Sequence, residues 1–340
     1  MLQLAITSVT GTAPGQTPEI VFTVTIDGAP VDILSTPLTR LTATVAGPTT
    51  DYASFWQNTI QGVGSVGTLA AAAPGFRYTF PAPMPASASG TYAFGLEGYI
   101  QPGGAAGPRF VAGNPVAFAS VTDAAAVPRR KVVDQAQCDS CHAGLAMGHS
   151  GSRRSVEYCP LCHNPNQTGD ERIARFEGTT VTAPSLSMAV LMHRIHMGAR
   201  LTQQPSVIGG FPAPTKANPA GTPIDFGAVR YPGDPRACAA CHAGQSYALP
   251  LPGSRLPSKT QLLACTEDPA ADADSYCDQR VVASETFIPP ATAACTGCHD
   301  APSTVAHAQT MTAPGGAEAC ATCHGPGAAY DVAAVHAPAP

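Results

Sequence analysis

The chain has 340 residues, enough for two domains, and carries a formal net charge of −5 with only 12% charged residues. This charge leaves no basic surface for nucleic acid, and no apolar run reaches the roughly 18 residues of a membrane-spanning helix. The 33 glycines and 34 prolines are many, but fewer than a disordered chain of this length would hold.

Residues 1–124 predict an all-β domain without a cofactor. The run EIVFTVTID shows the pattern, because Ile20, Phe22 and Val24 alternate with more polar residues. Similar runs, divided by Pro, Gly and Asp turns, are LQLAITSV, LTRLTATVAG, FRYTFP, GTYAFGLEGYI and RFVAGNPVAFASV. Their number and spacing predict a β-sandwich or a Greek-key split barrel. We interpret Trp56, the only tryptophan, as a core or edge anchor, and the domain as a structural or docking module.

Cysteine and histidine are confined to the second part of the chain. The first 137 residues hold neither, whereas twelve cysteines and ten histidines lie between Cys138 and His336. We therefore expect a domain boundary in VTDAAAVPRRKVVD, and a second domain over residues 125–340. This domain is predicted to be mostly coil, with few helices.

Five Cys-x-x-Cys-His motifs stand in this second domain. They are CDSCH (Cys138, Cys141, His142), CPLCH (Cys159, Cys162, His163), CAACH (Cys238, Cys241, His242), CTGCH (Cys295, Cys298, His299) and CATCH (Cys320, Cys323, His324). This is the attachment motif of c-type haem, in which two thiols bond the haem vinyl groups and the adjacent histidine binds the iron as proximal ligand. Zinc knuckles also use Cys-x-x-Cys pairs, but they do not need histidine at the next position. The motifs predict five covalently bound haem c groups.

Five histidines remain once the motif histidines are assigned. Five haems with two axial ligands each need five distal ligands, so we expect the remaining histidines to bind the irons: His149, His193, His196, His307 and His336. An ordinary surface or core position is the alternative for each one. Met147 or Met311 could replace one of them, and a methionine ligand would raise the potential of that haem.

The segment SLSMAVLMHRIHMGARL predicts a helix that carries two of these histidines. His193 and His196 are spaced i, i+3 and so share one face. They cannot bind one haem iron, since axial ligands approach from opposite sides, so we expect them to serve two different haems. A two-histidine site for another metal is the alternative.

Cys265 and Cys277 stand outside the motifs and flank an acidic segment, CTEDPAADADSYC. They predict a disulfide that closes a surface loop, which fits an oxidising compartment. The acidic residues also leave open a calcium site that uses Asp268, Asp272 or Asp274, although no EF-hand spacing is present.

These features together resemble the outer-membrane multihaem c-type cytochromes of the MtrC/OmcA family. The resemblance rests on CDSCHAGLAMGHSGSRRSVEYCPLCHNPN, on LMHRIHMGARL, on the three later motifs and on the preceding β domain with GTYAFGLEGYI. It implies a protein similar to one five-haem half of a ten-haem member. It also implies that His149, His193 and His196 are distal ligands, whereas His307 and His336 rest more on the count of histidines.

Haem is attached outside the cytoplasmic membrane, so we expect an exported protein at the cell surface or in the extracellular space, with the periplasm as alternative. The first residues, MLQLAITSVT, lack the charged and apolar regions of a signal peptide and predict a strand. We therefore expect the sequence to be trimmed or partial.

Two functions from different classes follow. The first is electron transfer along closely packed bis-histidine haems, with minerals, metal chelates, flavins, other multihaem cytochromes or identical copies as partners. The second is a multihaem reductase of a small oxyanion, which would need one iron with an open position. Because the supply of histidines matches the need, the sequence favours electron transfer over an enzyme with a substrate pocket. An adhesive β module that happens to carry haems is a weaker third interpretation.

Overall fold

A computed structural model describes residues 1–266 and 276–337 of the chain. It divides into two compact units, and each is described by itself. Unit 1 comprises residues 1–162 and 241–243, and unit 2 comprises residues 163–240 together with the chain from residue 244 onward.

The strands and helices follow one another along the chain in a β-rich first part and a mixed second part. The strands of the first part are β1 (Leu2–Thr10), β2 (Glu19–Ile26), β3 (Ala29–Pro30), β4 (Arg40–Gly47), β5 (Ser54–Gln61), β6 (Thr68–Ala72), β7 (Gly75–Thr79), β8 (Thr91–Ile100), β9 (Phe110–Val111) and β10 (Val116–Ser120). The later strands are β11 (Thr180–Ala183), β12 (Val207–Gly209), β13 (Pro223–Asp225), β14 (Ser258–Thr266) and β15 (Gln279–Ile288). The α-helices are α1 (Gln135–His142), α2 (Cys159–Cys162), α3 (Met188–Met197), α4 (Pro290–Thr296), α5 (Pro302–Thr310), α6 (Ala321–His324) and α7 (Val332–Val335).

Two antiparallel sheets form the β domain of unit 1. One has the order β1-β2-β7-β6 with β3 beside β2, and the other has the order β10-β8-β4-β5 with β9 beside β8. Side chains from both sheets share one core, including Phe22 and Ile20 from the first sheet and Val45 and Phe94 from the second. The predicted fold class, an all-β domain followed by a sparsely helical region, is confirmed.

Besides the two-residue strand β3, two strands of this domain were not among the predicted runs. β5 holds Trp56 within SFWQNTIQ, and its polar residues hide the strand pattern because it lies at the edge of its sheet. Trp56 packs partly buried against the core with its ring centroid 6.3 Å from that of Tyr92, in agreement with an edge anchor. β6 is the short, alanine-rich segment TLAAA, which carries no alternating pattern.

The central strands β4 and β8 are buried on both faces. One face carries Val45 and Phe94 into the core, while the opposite face, with Ala46 and Ala93, meets a second apolar cluster. That cluster includes Tyr158 and Leu161 from the segment around α2. Antiparallel sheets commonly leave one face to solvent. Here the second face is covered by chain that carries a Cys-x-x-Cys motif.

The connection after the β domain is fixed to its surface. The Thr49 hydroxyl donates to the carbonyl of Val127 at 2.7 Å, and Asp51 accepts from Arg129 and Arg130 at 3.2 and 3.1 Å. Asp51 is almost fully buried, with 2% of its surface exposed, and these ion pairs offset the cost of burying a polar group. The domain boundary at residues 124 and 125 stays a prediction.

Unit 2 contains little regular structure. Among its described residues, the largest sheet has three strands in the order β11-β14-β15, and β12 pairs with β13 in a second, two-stranded sheet. The predicted helix around His193 is confirmed as α3, and the Ser187 hydroxyl caps it by accepting from the Val190 amide. Gly198 ends the helix with a φ of 40°, a conformation that glycine adopts without strain.

The predicted disulfide is confirmed. Cys265 near the end of β14 and Cys277 just before β15 are bonded, with their Cα atoms 5.7 Å apart. The candidate calcium ligands Asp268, Asp272 and Asp274 lie outside the described residues. Within residues 1–266 and 276–337, no helix has the length and apolar content needed to cross a membrane.

The close packing on the second face of β8 predicts the effect of one added methyl group. A Cβ atom at Gly95 would lie 2.7 Å from the Tyr158 ring and 2.9 Å from Leu161, so Gly95→Ala must displace both. We expect a loss of about 1–3 kcal/mol in the free energy of unfolding, measured by denaturation followed through Trp56 fluorescence. The control is Gly113→Ala, which meets no atom within 4 Å and should change stability by less than about 0.5 kcal/mol. Equal effects of the two substitutions would contradict this packing.

Candidate functional site

All five Cys-x-x-Cys segments form a helical turn. They lie within α1, in α2, in a 3₁₀ turn at Cys238–Ala240, at the end of α4, and at the start of α6. The amide of His299 donates to the carbonyl of Cys295 at 2.8 Å, and that of His324 to Cys320 at 2.9 Å. Because residues three apart on a helix lie on one face, each turn presents its two thiols together and its histidine beside them. All ten of these cysteines lie outside the disulfide.

Four histidine rings each make the same type of contact with a backbone carbonyl, and this contact fixes the tautomer of the ring. The Nδ1 atom of each lies 2.8–3.1 Å from a main-chain carbonyl oxygen: His163 with Leu186, His196 with Met192, His324 with Tyr330 and His336 with Val332. A carbonyl can only accept, so Nδ1 must carry the proton. In the neutral ring this leaves the lone pair of Nε2 available to a metal, which is the usual arrangement of ligating histidines.

Two motif histidines each face one of the histidines outside the motifs. The ring centroids of His299 and His336 are 5.8 Å apart, and those of His307 and His324 are 6.4 Å apart. Metal–nitrogen bonds of about 2 Å on opposite sides of one ion place two ring centroids roughly 6 Å apart. Both pairs therefore have the spacing of axial ligands to one haem iron. Burial, together with His336 and His324, lowers the pKa of His299 and favours the neutral, ligating ring.

Helix α3 lies against the fourth motif. A Cβ atom at Gly297, the glycine of CTGCH, would lie 2.8 Å from the Cβ atom of His193. The glycine therefore permits the close approach of this helix to the motif. His196, one turn further along, meets the Tyr231 ring edge-on at a centroid distance of 5.6 Å.

His149 has a different contact. Its Nδ1 atom lies 3.3 Å from a guanidinium nitrogen of Arg153, and a guanidinium can only donate. In this contact the proton of a neutral ring sits on Nε2, so ligation through Nε2 requires the contact to change. The two alternative sulfur ligands are both exposed, Met147 to 80% and Met311 to 39%.

Most of the motif cysteines are partly buried, and several of their thiols influence one another. In unit 1 burial raises the pKa of Cys159 to about 11, with Cys138 adding to the rise, and it raises the pKa of Cys162 to about 12. Burial also raises the pKa of Cys138, helped by Cys241 of the third motif. The first motif of the chain thus lies near the second and near Cys241.

The thiols of the later motifs also influence the pKa values of one another within unit 2. Burial raises the pKa of Cys298 to about 12, and Cys238 is its next contributor. Burial raises the pKa of Cys295 to about 11, followed by an effect of Cys320. The fourth motif therefore lies near Cys238 and near the fifth motif.

The arrangement of these thiols fits thioether bonds better than zinc coordination. A structural zinc site needs four protein ligands around one ion. Among the residues that the structure describes, no three His, Cys, Asp or Glu side chains come together as a metal-binding group.

Sequence reasoning missed one group of residues beside the second motif. Glu97 of β8 and Arg153 form a buried ion pair at 2.6 Å, and the Tyr158 hydroxyl hydrogen-bonds Thr44 at 2.7 Å. No motif marks these residues, since 56 positions separate Glu97 from Arg153. The only signal was the unusual position of one acidic residue within the apolar strand GTYAFGLEGYI.

Comparison with known proteins places these observations in a family. A family model described as "Outer membrane cytochrome MtrC/MtrF-like, domains II/IV" matches residues 130–337. Among solved structures, the crystal structure of MtrC from Shewanella baltica OS185 is similar, with a TM-score of 0.57 and 14% sequence identity. The similarity covers 96% of this chain and 52% of that one, so this chain spans about half the length of the solved protein. No curated protein sequence matches the chain.

Proposed function

The chain belongs to the MtrC/MtrF-like family of outer membrane cytochromes, and on this premise we propose that it transfers electrons through five covalently attached haem groups. The observation that carries the proposal is the pairing of His299 with His336 and of His307 with His324, at the spacing of two axial ligands. Bound haem supplies an iron that changes between the ferric and ferrous states.

The protein residues hold and orient the cofactor. The ten motif cysteines form the thioether bonds, and the proximal ligands are His142, His163, His242, His299 and His324. His336, which faces His299, would be the second protein ligand to the haem of the fourth motif, and His307, which faces His324, would be that of the fifth motif. The carbonyls of Tyr330 and Val332 fix His324 and His336 by accepting their Nδ1 protons, which leaves Nε2 of each ring as the atom that would bind an iron.

The three remaining distal ligands are His149, His193 and His196, each for a different haem. His193 and His196 serve separate irons, because one helix face cannot approach one iron from two sides. For His149, binding through Nε2 requires it to exchange the Arg153 contact for one that protonates Nδ1.

Within unit 1 the thiols of the second motif, the first motif and Cys241 influence one another, and within unit 2 Cys238 and the thiols of the fourth and fifth motifs do so. Haems attached at these neighbouring motifs would pass electrons to one another. We propose minerals, ferric chelates, flavins and other multihaem cytochromes or identical copies as partners, and a location at the cell surface.

The number of attached haems is the first test. We expect mass spectrometry of the denatured, acid-acetone-extracted protein to show five haem additions per chain, because all five motifs present paired thiols. Variants with both cysteines of one motif changed to serine should each lose one addition. Three or fewer additions to the unaltered chain would refute the proposal.

The ligand pairs are tested by substitution. We expect His307→Ala and His336→Ala each to convert one haem of five from low to high spin, and the double variant to convert two, because each removes a different distal ligand. Electron paramagnetic resonance and carbon monoxide binding by the reduced protein measure the count. Met311→Leu is the control and should change neither. A double variant with only one high-spin haem would contradict the pairing.

If the protein transfers electrons, its reduced form should react with many different acceptors. In stopped-flow experiments we expect flavins, ferric chelates and partner cytochromes all to oxidise the reduced protein, with rates that follow driving force more than acceptor shape. Bis-histidine irons have no open position, so the reduced native protein should bind little carbon monoxide. Catalytic turnover of one small oxyanion, with negligible reaction of flavins and chelates, would identify a reductase instead.

A further inference from the structure

A buried ion pair lies on the outer face of strand β8. The Arg153 Nε atom lies 2.6 Å from the Glu97 carboxylate, and the two side chains are only 18% and 6% exposed. Arg40 is a weaker second partner of Glu97, at 3.9 Å. Burying two charges costs free energy even when they are paired, and an apolar pair of similar size is often as stable. Stability alone therefore does not account for a charged pair at this position.

The pair is connected to the second motif through Tyr158, the residue directly before Cys159. The Tyr158 hydroxyl lies 2.7 Å from the Thr44 hydroxyl and 3.4 Å from the Glu97 carboxylate. Tyr158 and Leu161 are fully buried against the face of β4 and β8, where Gly95 leaves room for both. The β domain therefore forms one wall of the site that holds Cys159 and Cys162.

Both charges lie beside this motif. Cys162 packs partly buried against the apolar cluster that holds Tyr158 and Leu161, and the Glu97 carboxylate lies 3.4 Å from the Tyr158 hydroxyl. A cation and an anion in this apolar setting act with opposite signs on a charge at the motif, and they act more strongly than in water.

We propose that Glu97 and Arg153 are a balanced charge pair through which the β domain sets the reduction potential of the haem attached at Cys159 and Cys162. This inference rests on the proposed function, because it needs a haem at the second motif. It makes the β domain a part of the electron-transfer machinery, in addition to any structural or docking role. Glu97 and Arg153 are positioning residues, since they act on the haem from the wall of its site.

The sign of each effect follows from the charge of the iron. Ferric haem carries one more positive charge than ferrous haem, so a nearby cation favours reduction and a nearby anion favours oxidation. In the unaltered protein the two charges largely offset one another. Removing the carboxylate leaves the Arg153 cation, whereas removing the guanidinium leaves the Glu97 carboxylate beside Arg40.

The test is potentiometric titration of the full-length haem-loaded protein. We expect Glu97→Gln to move one of the five components to a more positive potential, and Arg153→Gln to move the same component to a more negative one. The double variant should return close to the original potential. The matched control is Glu19→Gln, the same change in an Arg77–Glu19 pair at 3.5 Å on the other sheet, and it should shift no component.

Opposite shifts of the reduction potential in the two single variants indicate electrostatic control. Simple loosening of the site would shift the potential in the same direction in both. Shifts of equal sign, or no shift in Glu97→Gln, would overturn the inference. If Glu97→Gln does not accumulate as haem-loaded protein, the potentials of Arg153→Gln and of the double variant are compared instead. The inference then requires the affected component to have a more negative potential in Arg153→Gln than in the double variant. Haem counting on the same samples keeps the two proposals apart, because absence of haem from the second motif would refute the proposed function rather than this inference.

Discussion

The second apolar face of β4 and β8 is the constraint on which the arrangement of unit 1 depends. Both faces of this central strand pair are apolar, so other parts of the chain must cover each face. The core between the two sheets covers only one of them. Tyr158 and Leu161 cover the other, and burial of the leucine alone contributes about 1.5–3 kcal/mol. Because Tyr158 directly precedes Cys159, the same burial that completes the β domain also fixes the position of the second motif.

Unit 2 depends on a different physical principle. Its described residues form short helices and small sheets, and two of its motif histidines are held by backbone carbonyls, His163 by that of Leu186 and His324 by that of Tyr330. A domain with so little conventional core needs another source of buried apolar surface, and covalent porphyrins would provide it. The disulfide between Cys265 and Cys277 adds a covalent restraint at one end of the β14–β15 hairpin.

Membership in the MtrC/MtrF-like family and the facing histidine pairs both support the proposal that this protein is a multihaem cytochrome. The chain spans about half of the solved relative, and it combines a β-sandwich with a five-motif region. The role proposed for the buried pair of Glu97 and Arg153 gives the β domain of this chain a part in electron transfer. A rigid sheet can hold charges at a fixed distance from a haem, which a coil-rich domain with a small core does less well.

The sequence by itself determined the local features. Alternating residues marked β2, the helical pattern marked α3, and the five motifs with five further histidines marked the cofactor and its candidate ligands, because these signals depend only on neighbours along the chain. The tertiary structure decided what depends on distant residues. It paired His336 with His299 and His307 with His324, and it placed Arg153 on Glu97, 56 positions away. Sequence spacing could not predict these contacts, because packing between elements, and not distance along the chain, brings the partners together.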